Sequence, residues 1–207
     1  MSKLEIKKEL DNNQAAILIL HSVNYNDVIV DVAKQLSDKK TCYVTFNKTY
    51  DALKELLKVN NVDTKNIVFI DGITKNVKDS ADRDDCRFID STIAVTELTK
   101  NISELLKHDF HYLVFDSLTN LFIYRGGGAV EYFIQTLVNN ILTERNCRGV
   151  FFALKESKAY VYNPLMEIKQ PDASQQVKNP LLDWSDVFTS RLSDGMTIID
   201  MGSNGSK

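Results

Sequence analysis

The strongest constraint on the fold is an alternation that runs almost the whole length of the chain. Short, continuous apolar runs are separated by stretches whose apolar residues recur at helical spacing. A run of four to eight apolar residues without polar alternation fits a strand buried on both faces, which a parallel sheet with helices on either side requires. Such runs occur at Ala15 to Leu20 (AAILIL), Thr41 to Phe46 (TCYVTF), Ile67 to Ile70 (IVFI), His111 to Phe115 (HYLVF), Gly149 to Leu154 (GVFFAL) and Met196 to Ile199 (MTII). Between them, Val28, Ile29, Val32, Ala33 and Leu36 fall on one helical stripe. Leu53, Leu56 and Leu57 form a second stripe behind a Thr49 cap, and Leu98, Ile102, Leu105 and Leu106 a third behind Thr96. The clearest helix carries Val130, Phe133, Ile134, Leu137, Val138, Ile141 and Leu142. It is expected to follow the Gly126, Gly127, Gly128 turn and to end near Arg145.

Strand and helix in alternation predict parallel strands joined by right-handed crossovers, a three-layer α/β domain with helices on both faces. With 207 residues, one domain over 15–202 is expected, after an amino-terminal segment (1–14) and before a flexible tail (203–207). Lys78 to Arg87 (KDSADRDDCR) lacks periodicity and reads as a solvated loop. Its acids Asp79, Asp82, Asp84 and Asp85 lack the glycine and distal glutamate of a calcium loop. All three prolines fall between Lys155 and Asp183, so an irregular insertion is expected at about 156–183, with a short helix from Trp184 to Leu192 after it.

The net charge of -3 supplies no broad basic field, which argues against a nucleic-acid binder. Cys42, Cys86 and Cys147 are odd in number and far apart, so they read as reduced thiols rather than a disulfide framework or a zinc site. No run approaches the roughly 20 apolar residues of a membrane span. A soluble, cytoplasmic protein is expected.

The run His111 to Leu118 (HYLVFDSL) passes from four apolar or aromatic residues to Asp116 and Ser117, placing an acid at the carboxyl end of a buried strand, the edge where open α/β sheets bind ligands. This segment resembles the Walker B strand of P-loop NTPases. The ordered set AAILILHS, TCYVTFNK, NIVFIDGI, YLVFDSLT, GVFFALKES and LSDGMTIID resembles the RecA-like ATPase core, and most of all its KaiC-type archaeal and bacterial branch. The resemblance implies a RecA-like domain with strand order 3-2-4-5-1-6, numbered along the chain, and Asp116 as a Mg²⁺ ligand beside bound ATP.

Two departures weigh against that chemistry. A phosphate loop needs glycines and a lysine, yet HSVNYND follows the first strand and the first glycine in the chain is Gly72. The next helix is expected to start at Asn24, with Asp27 reaching back to fill the anion site from within; Tyr25 is a side chain that can fill the space beyond His21 and Asp116. Where the resemblance puts a water-activating glutamate, the chain has Asn47 and Lys48, and an amide takes no proton from water near neutral pH.

The favoured expectation is therefore a catalytically inactive homologue without cofactor, a protein-interaction module in signalling or regulation. The alternative is an unorthodox nucleotide-binding protein or weak ATPase using ATP and Mg²⁺, with Asp116 on the metal and Lys48 or Lys155 on phosphate. Candidate ligand-binding residues are His21, Ser22, Asn47, Lys48, Asp116, Ser117, Lys155 and Glu156. Each has a plainer reading: Asp116 and Ser117 as caps of the loop after their strand, His21 as a hydrogen-bonded structural residue, the triple glycine as a permissive turn. Tyr160, Tyr162, Leu165 and Met166 are candidate partner contacts, because aromatics and methionine on an irregular segment suit an adaptable surface. With no nucleotide at a subunit interface, a monomer or homodimer is expected rather than a ring.

Overall fold

A computed structural model describes residues 4–90, 95–125, 127–143, 145–155 and 195–201. The elements are α1 (Ile6–Asn12), β1 (Ala15–Leu20), α2 (Tyr25–Leu36), β2 (Thr41–Thr45), α3 (Tyr50–Val59), β3 (Ile67–Asp71), β4 (Cys86–Phe88), α4 (Val95–Leu106), β5 (Tyr112–Asp116), α5 (Leu118–Arg125), α6 (Gly127–Thr136), β6 (Arg148–Leu154) and β7 (Met196–Asp200). Among the described residues the sheet has seven strands in the order β4-β3-β2-β5-β6-β1-β7, and every pairing is parallel. With the extra edge strand β4 set aside, this is the order expected from the sequence. The proline-bearing insertion, the helix expected at Trp184 to Leu192 and the tail lie outside the described residues.

Alternate residues of each strand feed two cores, one on each face of the sheet. Ala15, Ile17 and Ile19 of β1 join Leu113 and Phe115 of β5 under α4, α5 and α6. Ala16, Leu18 and Leu20 join Tyr43, Val114 and Phe152 under α1, α2 and α3. The first core centres on Phe115, whose ring lies 5.7 Å from Phe46, 4.9 Å from Phe133 and 6.3 Å from Phe151. Thr49 caps α3 as expected, its side chain accepting from the Ala52 amide at 3.3 Å. Cys42, Cys86 and Cys147 are buried, free thiols, and burial pushes Cys86 and Cys147 each up to about 12. No helix of the described residues is long and apolar enough to cross a membrane.

Three parts differ from expectation. The polar stretch before Arg87 is not simply a solvated loop. Cys86–Phe88 pairs with Phe69–Asp71 as an edge strand, and Arg83 lies over the rings of Tyr50 and Phe88 while pairing with Asp51 at 2.7 Å. A second difference is the helix α5, which starts directly after β5 where no helix was expected. Gly127 and Gly128 therefore lie within α6 rather than ahead of a helix, and α6 continues as a π-helical turn at Leu137–Leu142. The third is α1 in the charged amino-terminal segment, which buries Ile6 and Leu10 and is tied to α2 by Gln35, whose side chain accepts from the Ile6 amide at 2.9 Å.

Gly72 lies where β3 leaves the sheet, and a Cβ there would come within 2.6 Å of the Phe46 ring. Gly72→Ala is expected to destabilise the fold by about 2 kcal/mol through overpacking, read as a lower denaturant midpoint at unchanged slope.

Candidate functional site

β2 and β5 are neighbours, yet the helices that follow them leave on opposite faces: α3 packs into the second core and α5 into the first. That divergence opens the crevice at which parallel sheets offer a ligand site. Its floor is a single row across the sheet, in which Asp71, Thr45, Asp116, Phe152 and Leu18 are successive partners in register.

Asp116 ends β5 and follows Phe115, which faces the first core, so alternation points its carboxyl toward the second core beneath α2. There it is fully buried. The Tyr25 hydroxyl donates to Asp116 Oδ1, and the Tyr43 hydroxyl donates to Oδ2 at 3.2 Å. No ion pair among the described residues involves Asp116. Burial pushes its pKa up to about 6, and the two phenol hydrogen bonds and the more distant charge of Lys48 only partly oppose that rise. The phenols respond in the same sense: burial and the adjacent carboxylate hold both Tyr25 and Tyr43 well above the ordinary tyrosine range.

Tyr25 is the first residue of α2, and its ring meets Phe152 edge to face at 6.2 Å. Its hydroxyl also interacts with the side chains of Ser117 and Asn47. Three sequence candidates, Asn47, Asp116 and Ser117, therefore converge on one phenol. Ser117 is buried as well, and its hydroxyl accepts from the Asn120 amide at 3.3 Å as the cap of α5. The peptide between Asp116 and Ser117 is cis.

Asn47 and Lys48 are half-buried in a turn pinned by Thr45, whose hydroxyl donates to the Lys48 carbonyl at 2.7 Å and accepts from the Lys48 amide at 3.1 Å. His21 and Ser22 are not drawn into the cluster. His21 precedes a 3-10 turn at Ser22–Asn24 that has no side-chain cap, and Ser22 is exposed. Lys155 is exposed at the end of β6 and pairs with Asp200 at 2.6 Å. Glu156, Tyr160, Tyr162, Leu165 and Met166 lie outside the described residues.

Asp71, at the corresponding end of β3, is spent on the backbone. It accepts from the amides of Tyr50, Ile73 and Thr74 and from the Thr74 hydroxyl at 2.5 to 2.9 Å. The expected capping box at α2 does not form: Asn24 makes no side-chain cap, and Asp27 points to solvent. A phenol rather than a carboxylate occupies the space over β5. Tyr43 had no mark in the sequence, although a tyrosine central in a strand buried on both faces must find a buried hydroxyl partner.

As arranged, this site does not fit a magnesium ion. Both oxygens of Asp116 accept from phenols, the carboxyl has no exposed edge, and no group of three or more His, Cys, Asp or Glu side chains among the described residues could hold a metal.

The chain has a RecA-like α/β fold. Its fold is similar to that of a KaiC-like protein from the hyperthermophilic archaeon Pyrococcus horikoshii OT3, with a TM-score of 0.50 and 12% sequence identity over 71% of this chain and 63% of that one. The match thus spans less than two thirds of that protein's length, and at such identity the likeness is one of fold. No protein-family model matches the sequence, and no curated protein matches it.

Proposed function

We propose that this chain is a RecA/KaiC-like domain that does not hydrolyse nucleotide and serves as a protein-interaction module in signalling or regulation, in the cytoplasm, as a monomer or homodimer. The observation that carries this reading is the Tyr25 hydroxyl on the buried Asp116 carboxyl, in the place where the family resemblance would put a metal and a phosphate. Two features of the sequence agree with it. HSVNYND holds no glycine to wrap an anion, and Asn47 and Lys48 stand where a water-activating glutamate is implied. A domain relieved of that chemistry keeps its carboxyl edge for other proteins. The sequence of the insertion, with Tyr160, Tyr162, Leu165 and Met166, has residue chemistry that suits partner contacts.

One observation favours the alternative, an unorthodox nucleotide-binding protein or weak Mg²⁺-dependent ATPase: Lys48 is close enough to act on Asp116 electrostatically. Titration calorimetry separates the two. With millimolar ATP and Mg²⁺ no heat of binding is expected. A micromolar dissociation constant that Asp116→Ala abolishes would establish the alternative.

A further inference from the structure

What holds Tyr25 differs from what holds the rest of α2. Val28, Ile29, Val32, Ala33 and Leu36 fasten the helix to the sheet along its buried stripe. Tyr25 heads that stripe, and it carries contacts the others lack: its hydroxyl on Asp116 of β5 and its ring edge against Phe152 of β6. Neither the turn before it nor α2 itself has a side-chain cap, and Val23 in that turn is 80% exposed. The first amides of any helix lack partners within it, so unwinding one turn from Tyr25 breaks few backbone hydrogen bonds. Tyr43 sits in mid-strand and cannot leave.

Beneath the plug is a carboxyl that no cation among the described residues pairs with. Lys48 acts on it only electrostatically, without an ion-pair contact; a buried carboxylate lacking such a contact is penalised, and a guanidinium offers it two parallel hydrogen bonds that a phenol cannot. We propose that Tyr25 is a releasable plug: the first turn of α2 unwinds and uncovers Asp116 for a cationic side chain, of the arginine type, brought by a protein partner. This rests on the reading of the chain as an interaction module and names the chemistry of what it would accept.

Native-state hydrogen exchange on the full chain tests it, with methylguanidinium as the probe. The amides of Val28 and Ile29, which bond back across the first turn in an α-helix, should exchange through a local opening that low denaturant does not affect, while β5 amides exchange only by global unfolding. Tyr25→Phe keeps the ring but drops the bond to the carboxylate, and should raise that local opening about tenfold or more. Millimolar methylguanidinium should raise it in the natural protein and have no effect in Asp116→Asn, which keeps the shape and removes the charge. If Val28 and Ile29 open only together with β5, Tyr25 is a fixed part of the core and the plug is refuted. If Mg²⁺ rather than methylguanidinium promotes opening, the cationic side chain is the wrong occupant. Nucleotide binding that leaves this exchange unchanged would overturn the functional reading and not the plug.

Discussion

Tyr25→Ala should lower the unfolding free energy by about 4 kcal/mol, near the middle of the range for removing a large buried ring. Two losses combine. The ring is 5% exposed and closes the second core against Phe152, so truncation leaves a cavity. Asp116 also loses a hydrogen bond that compensates its burial, and a carboxylate left short of partners costs more than a neutral group. Tyr25→Phe separates the two terms, because it keeps the packing and removes only the hydroxyl; its cost should be about 2 kcal/mol. Denaturant titration of the three proteins checks both figures. Equal stability of Tyr25→Ala and the natural protein would mean that the phenol neither packs nor bonds at Asp116.

The second large effect is a pH dependence that runs against the usual one. Asp116 titrates near 6 in the fold and at 3.8 ordinarily, so the folded state holds the proton more tightly than the unfolded chain does. Its stabilising contribution is therefore complete below about pH 4 and is lost as pH rises through 6. At about 1.4 kcal/mol for each pH unit between the two values, about 3 kcal/mol is at stake.

The surface acids pull the other way. Asp38, beside Lys7, Asp51, beside Arg83, and Asp63, beside Lys65, are each held below the ordinary carboxylate range, so their contributions are lost toward acid. Subtracting the stability curve of Asp116→Asn from that of the natural protein isolates the buried group. The difference should favour the amide variant by about 3 kcal/mol more at pH 8 than at pH 4. Parallel curves would show that Asp116 is hydrated in the folded protein.

The expectations that succeeded depended on local pattern. Six apolar runs became six strands, within a residue or so at each end, because a strand covered on both faces must be apolar throughout and such runs stand out from amphipathic helices. The elements that escaped notice have no such pattern. β4 is three residues long, and distant partners decide its existence: Phe69 to Asp71 in the sheet, and the stacking of Arg83 on Tyr50 and Phe88. α5 reads LTNLFIYR, in which Leu118, Leu121 and Phe122 have helical spacing but span little more than one turn, and it forms because Ser117 caps it and those residues pack into the first core.

The candidate site divides along the same line. Asp116 was visible as an acid closing a buried run. The expected role of Asp27 was wrong because a capping box is a contact among near neighbours, and nothing local forbids it. Tyr25 wins that space through a contact 91 residues away in sequence.

Hydrophobic period and residue chemistry alone thus determined the layered parallel fold and the position of the acid at a strand end. Which side chain covers that acid, and that a second tyrosine shares it, only the tertiary structure decided. The reason is physical. Burial of a strand follows from its own composition, whereas a buried carboxyl must be satisfied by donors that reach it through space. Here the packing of α2 on the sheet brings one such donor and the middle of β2 supplies the other.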